Sequence, residues 1–174
     1  PARGVLDVHG NSTLTIQTGG SLTFTSGTSA ALSIVGQNST GTSTLWVNGG
    51  SLTLNPNQGF AFGNNRADAT GVLTVSSGTA TIAAGSATLQ DQRNFIAMGR
   101  DNATGTINLD GGTLATGRQF VRDGSSGGTA GTGTATFNFN GGILQALADQ
   151  TLGNGWFETS TGGNFRTVTT TVKT

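Results

Sequence analysis

Leu45-Trp46-Val47-Asn48-Gly49-Gly50-Ser51-Leu52-Thr53-Leu54 decides the fold, because the stretch returns along the chain. Relatives are Leu14-Thr15-Ile16-Gln17-Thr18-Gly19-Gly20-Ser21-Leu22-Thr23-Phe24, Ile107-Asn108-Leu109-Asp110-Gly111-Gly112-Thr113-Leu114 and Phe137-Asn138-Phe139-Asn140-Gly141-Gly142-Ile143-Leu144. Leu73 to Ile82 is a degenerate copy. The first apolar residues fall at 14, 45, 73, 107 and 137, giving steps of 31, 28, 34 and 30. A period near thirty predicts a repeat architecture.

Within each copy the apolar residues alternate with Thr, Asn or Trp. Leu45 and Val47 flank Trp46, Leu73 and Val75 flank Thr74, and Phe137 and Phe139 flank Asn138. Period two with β-branched residues marks strands with one buried face. No long segment shows a 3.6-residue period, and Gly, Thr and Ser interrupt every helical candidate. Each repeat is expected to hold three strands, A, B and C. A carries the first apolar pair and B the second, with glycine turning the chain between them. C follows at Leu32 and Ile34, Phe60 and Phe62, Phe95 to Met98, and Phe120 and Val121. The A-to-B step is nearly constant, and length variation falls in loops such as 63–71, 99–105 and 123–133. Hairpins would reverse alternate strands, yet the same A-turn-B order recurs. The reading is therefore an all-β parallel solenoid of five to six coils, with a meander as the alternative. Leu14, Leu45, Leu73, Ile107 and Phe137 are expected to form one internal stack.

The whole chain, 1–174, reads as one domain. Repeats cover about 12–147, and 148–174 is an irregular segment plus a terminal strand. Leu6-Asp7-Val8 precedes the first A strand, and Val168 lies 31 residues beyond Phe137, as a sixth A strand would. The start at Pro1 is expected to be that of a mature or excised fragment. The array then begins and halts within a turn, without the polar caps solenoids normally carry.

Composition narrows the function. Charged residues are 9% and balance to zero, so no basic stripe is present to neutralise nucleic-acid phosphates or an anionic membrane. No apolar run approaches the roughly 20 residues of a membrane helix. Cysteine is absent, which excludes disulfides and thiolate metal sites. His9 is the sole histidine, and its ordinary role is a surface or end-of-rung side chain. The repeats lack the Asp that calcium-binding β-rolls place after Gly-Gly, so no metal or cofactor is expected. Asp101 and Asp123, beside Arg100 and Arg122, are the carboxylates best placed for glycosidic-bond cleavage. Their ordinary reading is an Arg-Asp ladder between stacked loops, and the chain is read as non-enzymatic. Thr-x-Thr recurs at 13/15, 79/81, 134/136 and 169/171. A regular threonine ladder on a flat face would suit ice, but the outward row Thr15, Trp46, Thr74, Asn108, Asn138 is interrupted.

The segments Gly105 to Thr116, the Arg118–Phe120 strand and Ala135 to Ala146 resemble the autotransporter-associated β-strand repeats of long secreted bacterial surface proteins. The resemblance covers about 12–147. It implies a right-handed parallel β-helix with an adhesive or structural role, at the bacterial cell surface or outside the cell. It transfers no catalytic residue.

Alternation points Trp46 outward, where an exposed indole marks a partner interface or a sugar-stacking platform. Trp156 and Phe157 form a second aromatic spot. Leu6 and Val8 at one end, and Phe165, Val168 and Val172 at the other, are interface candidates on unfinished rungs. The function expected first is a structural subunit that stacks head to tail on copies of itself into a surface filament or rod, with the terminal strand available for donation. The alternative is an adhesin segment that binds glycans on host or biofilm surfaces.

Overall fold

A computed structural model describes residues 5–24, 32–37, 40–54, 59–64, 67–83, 95–123, 133–147, 165–166 and 169–172. In chain order the strands are β1 (Asp7–Val8), β2 (Thr13–Gln17), β3 (Ser21–Phe24), β4 (Leu32–Gln37) and β5 (Gly41–Leu54). Next come β6 (Gly59–Asn64), β7 (Ala69–Ile82), β8 (Phe95–Met98), β9 (Thr104–Leu109) and β10 (Thr113–Thr116). The last are β11 (Gln119–Asp123), β12 (Thr134–Phe139), β13 (Ile143–Ala146), β14 (Phe165–Arg166) and β15 (Thr169–Val172). The described residues include no helix, and hence none able to cross a membrane.

The molecule is a parallel β-solenoid. One sheet stacks the C strands in the order β1-β4-β6-β8-β11-β14. A second, bent sheet holds the A and B strands: β2, β5, β7, β9, β12 and β15 stack as A, while β3, β5, β7, β10 and β13 stack as B. All these ladders are parallel except β11 with β14, which rules out the meander. Register follows the sequence period. Leu14 lies opposite Leu45, Leu45 opposite Leu73, Leu73 opposite Ile107, and Ile107 opposite Phe137.

The strands form because one side chain in two can be buried. In β5, Ser43, Leu45 and Val47 are inside while Thr42, Thr44 and Trp46 face out. Leu45, Leu73, Ile107 and Phe137 are fully buried, each contributing about 1.5–3 kcal/mol through burial. Phe120 of the C sheet meets Phe137 of the A face with ring centroids 4.9 Å apart, tying the two sheets together. The corners need glycine for two reasons. Gly49 has φ +92°, which other residues rarely adopt. A Cβ at Gly105 would collide with the Gly99 nitrogen and the Phe62 carbonyl, so only glycine lets the A strand approach the C strand there.

Four features differ from the sequence expectation. Pairing runs through the A-to-B corner in β5 and β7, with register shifts in place of a break. The C strands are buried on both faces. Val35, Phe62, Met98 and Phe120 join the main core, while Ile34, Ala61, Ala97 and Val121 form a second cluster with Phe95. Their near-continuous apolar runs have the character of two-sided burial. The sixth A strand is displaced: Thr170, rather than Val168, lies opposite Phe137. Phe165 and Arg166 are spent pairing antiparallel with Asp123 and Arg122, so the A strand starts only at Thr169. The terminal strand expected for donation to a neighbour is thus docked on its own chain's β12.

Candidate functional site

The A face presents three outward columns at the rung spacing of about 4.7–4.9 Å. The first column is Thr42, Thr70, Thr104 and Thr134. The second is Thr13, Thr44, Val72, Thr106 and Thr136, continued by Thr169. The third is Thr15, Trp46, Thr74, Asn108 and Asn138, continued by Thr171. None of these positions is ionisable. From Thr42 to Asn138 every one of them is half-buried or exposed.

The third column is organised by its own hydrogen bonds. Asn138 Nδ2 donates to Asn108 Oδ1 at 2.8 Å, and Asn108 Nδ2 donates to Thr74 Oγ1 at 3.4 Å. Trp46 is 37% exposed, and its Nε1–H donates to Ser76 Oγ at 2.7 Å. The indole is therefore held along the column toward the next rung, its one polar group engaged and part of its apolar surface open. A carboxamide carries two N–H donors and an oxygen with two lone pairs. A ladder that uses one donor per amide leaves a donor and acceptor capacity on each side chain for a ligand.

A parallel ladder lines the A-to-B corner. Asn140 Nδ2 donates to Asp110 Oδ1 at 2.6 Å, and Ser77 Oγ donates to Asn48 Oδ1 at 3.2 Å. Ser76 Oγ also lies 3.3 Å from Asn48 Oδ1, so corner and third column share Ser76. Asp110 is the ionisable group within this array.

The other residues singled out in the sequence fall elsewhere. Leu6 and Val8 pack against the core at 9% and 6% exposure. With Leu14, Asp7 and His9 they line an open depression of about 310 Å³ beside the first rung. His9 Nδ1 lies 3.1 Å from Asp7 Oδ1 in an exposed pair. Phe165 lies in β14 and Val172 in β15, with backbone pairing described but not their side chains. Trp156, Phe157 and Val168 lie outside the described residues. Asp101 sits at a C-to-A corner with φ +60°, and the Asp123 side chain is outside the described set. Arg122 Nη1 donates to the Gly133 carbonyl at 2.9 Å, bracing the base of a loop. Among the described residues no group of three or more His, Asp or Glu side chains could hold a metal.

Sequence reasoning found the third column but missed the first. Its signal was the small-residue-Thr pair at the start of four A strands, β5, β7, β9 and β12: Gly41-Thr42, Ala69-Thr70, Ala103-Thr104 and Gly133-Thr134. The threonine columns are thus more regular than the Thr-x-Thr pairs alone implied.

The family model described as carbohydrate-binding domain-containing protein matches residues 2–171. The family shown is thus not the autotransporter-associated repeat that the sequence resembles. No curated protein and no solved structure matches the chain.

Proposed function

We propose that the A face is a non-catalytic glycan-binding surface, from the premise that the chain belongs to the carbohydrate-binding domain-containing protein family. Trp46 carries the reading. A half-open indole, fixed by its bond to Ser76, offers apolar area for the C–H face of a sugar ring at little conformational cost. The amides of Asn108 and Asn138 lie two and three rungs along, where they can meet sugar hydroxyls. The surface needs no cofactor and performs no bond cleavage. A location on a bacterial cell surface or outside the cell, as an adhesive module, is part of the same reading.

A glycan array probed with the wild-type chain and with Trp46→Ala tests this. Specific retention that falls at least about tenfold in the variant supports it. A blank array for the wild type removes it.

A second reading, head-to-tail stacking of copies, is favoured by one observation. β13 is the edge of its sheet, and Ile143 there is 60% exposed, with Leu147 beyond it at 42%. An open strand edge beside apolar side chains templates another strand. Sedimentation at rising concentration checks it. Growth in mass that Ile143→Lys abolishes is the expected result, and a constant monomer mass contradicts it.

A further inference from the structure

We infer that the A face takes a neutral, unbranched polysaccharide of extended, equatorially linked sugars, lying parallel to the solenoid axis with one sugar per rung. This rests on the glycan reading of the same face. Three observations fix the direction and the class.

The first is translational. Trp46, Thr74, Asn108 and Asn138 occupy successive rungs in strict register, so the face offers one contact per about 4.7–4.9 Å along a straight line. A ligand that uses them all must repeat at nearly that length. A hexose joined through equatorial bonds at C1 and C4 does, because its two bridging oxygens leave opposite ends of a flat ring. Chains with axial linkages coil, and leave a straight row after one or two units.

The second is shape and rigidity. The adjoining columns, Thr44, Val72, Thr106 and Thr136, then Thr42, Thr70, Thr104 and Thr134, are β-branched throughout. Such side chains are restricted at χ1 and lie on a sheet whose backbone is already paired. Little conformational freedom is lost when a flat ribbon settles on them. Their methyl groups meet ring C–H bonds and their hydroxyls meet sugar hydroxyls.

The third is charge. The three columns carry no ionisable group, and carboxylates stand only at their margins, Asp110 at the corner beyond Asn108 and Asp68 before Thr70. An anionic chain of uronic or sulfated sugars finds no counter-charge in the columns. A neutral chain loses nothing there.

Calorimetric titration with β-1,4-linked gluco-oligosaccharides of two to six units, set against the α-1,4-linked isomers, tests the inference. Affinity should rise with each β-linked unit up to four, by about tenfold or more in all, and then level off. The α-linked series should stay at least about tenfold weaker. Asn138→Ala should bring the plateau forward to three units. Affinity independent of length, or α-linked binding as tight as β-linked, overturns the inference. So does retention on ice without retention of any glycan, since the threonine columns would then be reading an ordered water lattice. Tight α-linked binding that Trp46→Ala abolishes leaves the glycan-binding surface standing and removes only the axial, β-linked class. A glycan array blank for every sugar removes both.

Discussion

Trp46 shows what a residue gains from its neighbours in a stacked rung. Alternation alone turns it outward, and that much is legible in Leu45-Trp46-Val47. Its partner is 30 residues away in sequence, and Ser76 becomes readable only once Trp46 is known to lie opposite Thr74. Trp46→Ala should lower glycan affinity by roughly 30-fold, the loss expected for a tryptophan at the centre of an interface. Ser76→Ala should cost less, because the ring remains and only its orientation is freed. A ratio of the two losses near one in calorimetry would show that the hydrogen bond, rather than the ring surface, carries the effect. Gly105 tests the corner in the same way. Its absent Cβ is space occupied by the Gly99 nitrogen and the Phe62 carbonyl. Gly105→Ala should destabilise the fold by about 1–3 kcal/mol in urea titration. An unchanged midpoint would contradict the close approach of the two strands.

At the scale of the element, A strands were the easiest to read and C strands the hardest. An A strand buries one face, so Leu, Val, Ile and Phe alternate with Thr and Asn. A C strand such as Phe95–Met98 is buried throughout, and period two vanishes. The terminal segment misled for a similar reason. Val168 stands one period after Phe137, but β14 pairs antiparallel first and delays the A strand to Thr169. No local pattern announces such a reversal. The B-to-C corner holds a buried contact that the Arg-x-Phe pattern does not reveal. Arg118 is fully buried, and its Nε–H donates to the Ala83 carbonyl at 2.7 Å while its backbone N–H donates to Thr116 Oγ1 at 3.0 Å. The arginine joins two successive rungs in place of an apolar side chain. Arg118→Ala leaves a cavity and an unmet carbonyl, and should cost about 3 kcal/mol by urea denaturation. A loss below about 1 kcal/mol would mean that the guanidinium is dispensable to that corner.

The described residues form a solenoid whose outward chemistry changes face by face. The A face is threonine, asparagine and tryptophan, and the C face is closed by a second apolar cluster. The fold was legible because a thirty-residue period leaves few alternatives. The site was half legible, because one column could be written down from alternation while its ladder and its threonine neighbours required register. A net charge of zero and columns free of ionisable groups set the expected response to salt. Glycan affinity should change less than about twofold between dilute buffer and 1 M salt, where screening acts within about 3 Å. A steep decline would point to the Asp110 corner or to the Asp7–His9 pair instead of the columns. The most direct measurement is a two-dimensional nuclear magnetic resonance titration with the tightest-binding oligosaccharide from the array. The Trp46 indole N–H and the Asn108 and Asn138 side-chain amides should shift together and saturate at one ligand concentration. Shifts confined to the depression around Leu6, Val8 and His9, with those three groups unmoved, would contradict the assignment of binding to the A face.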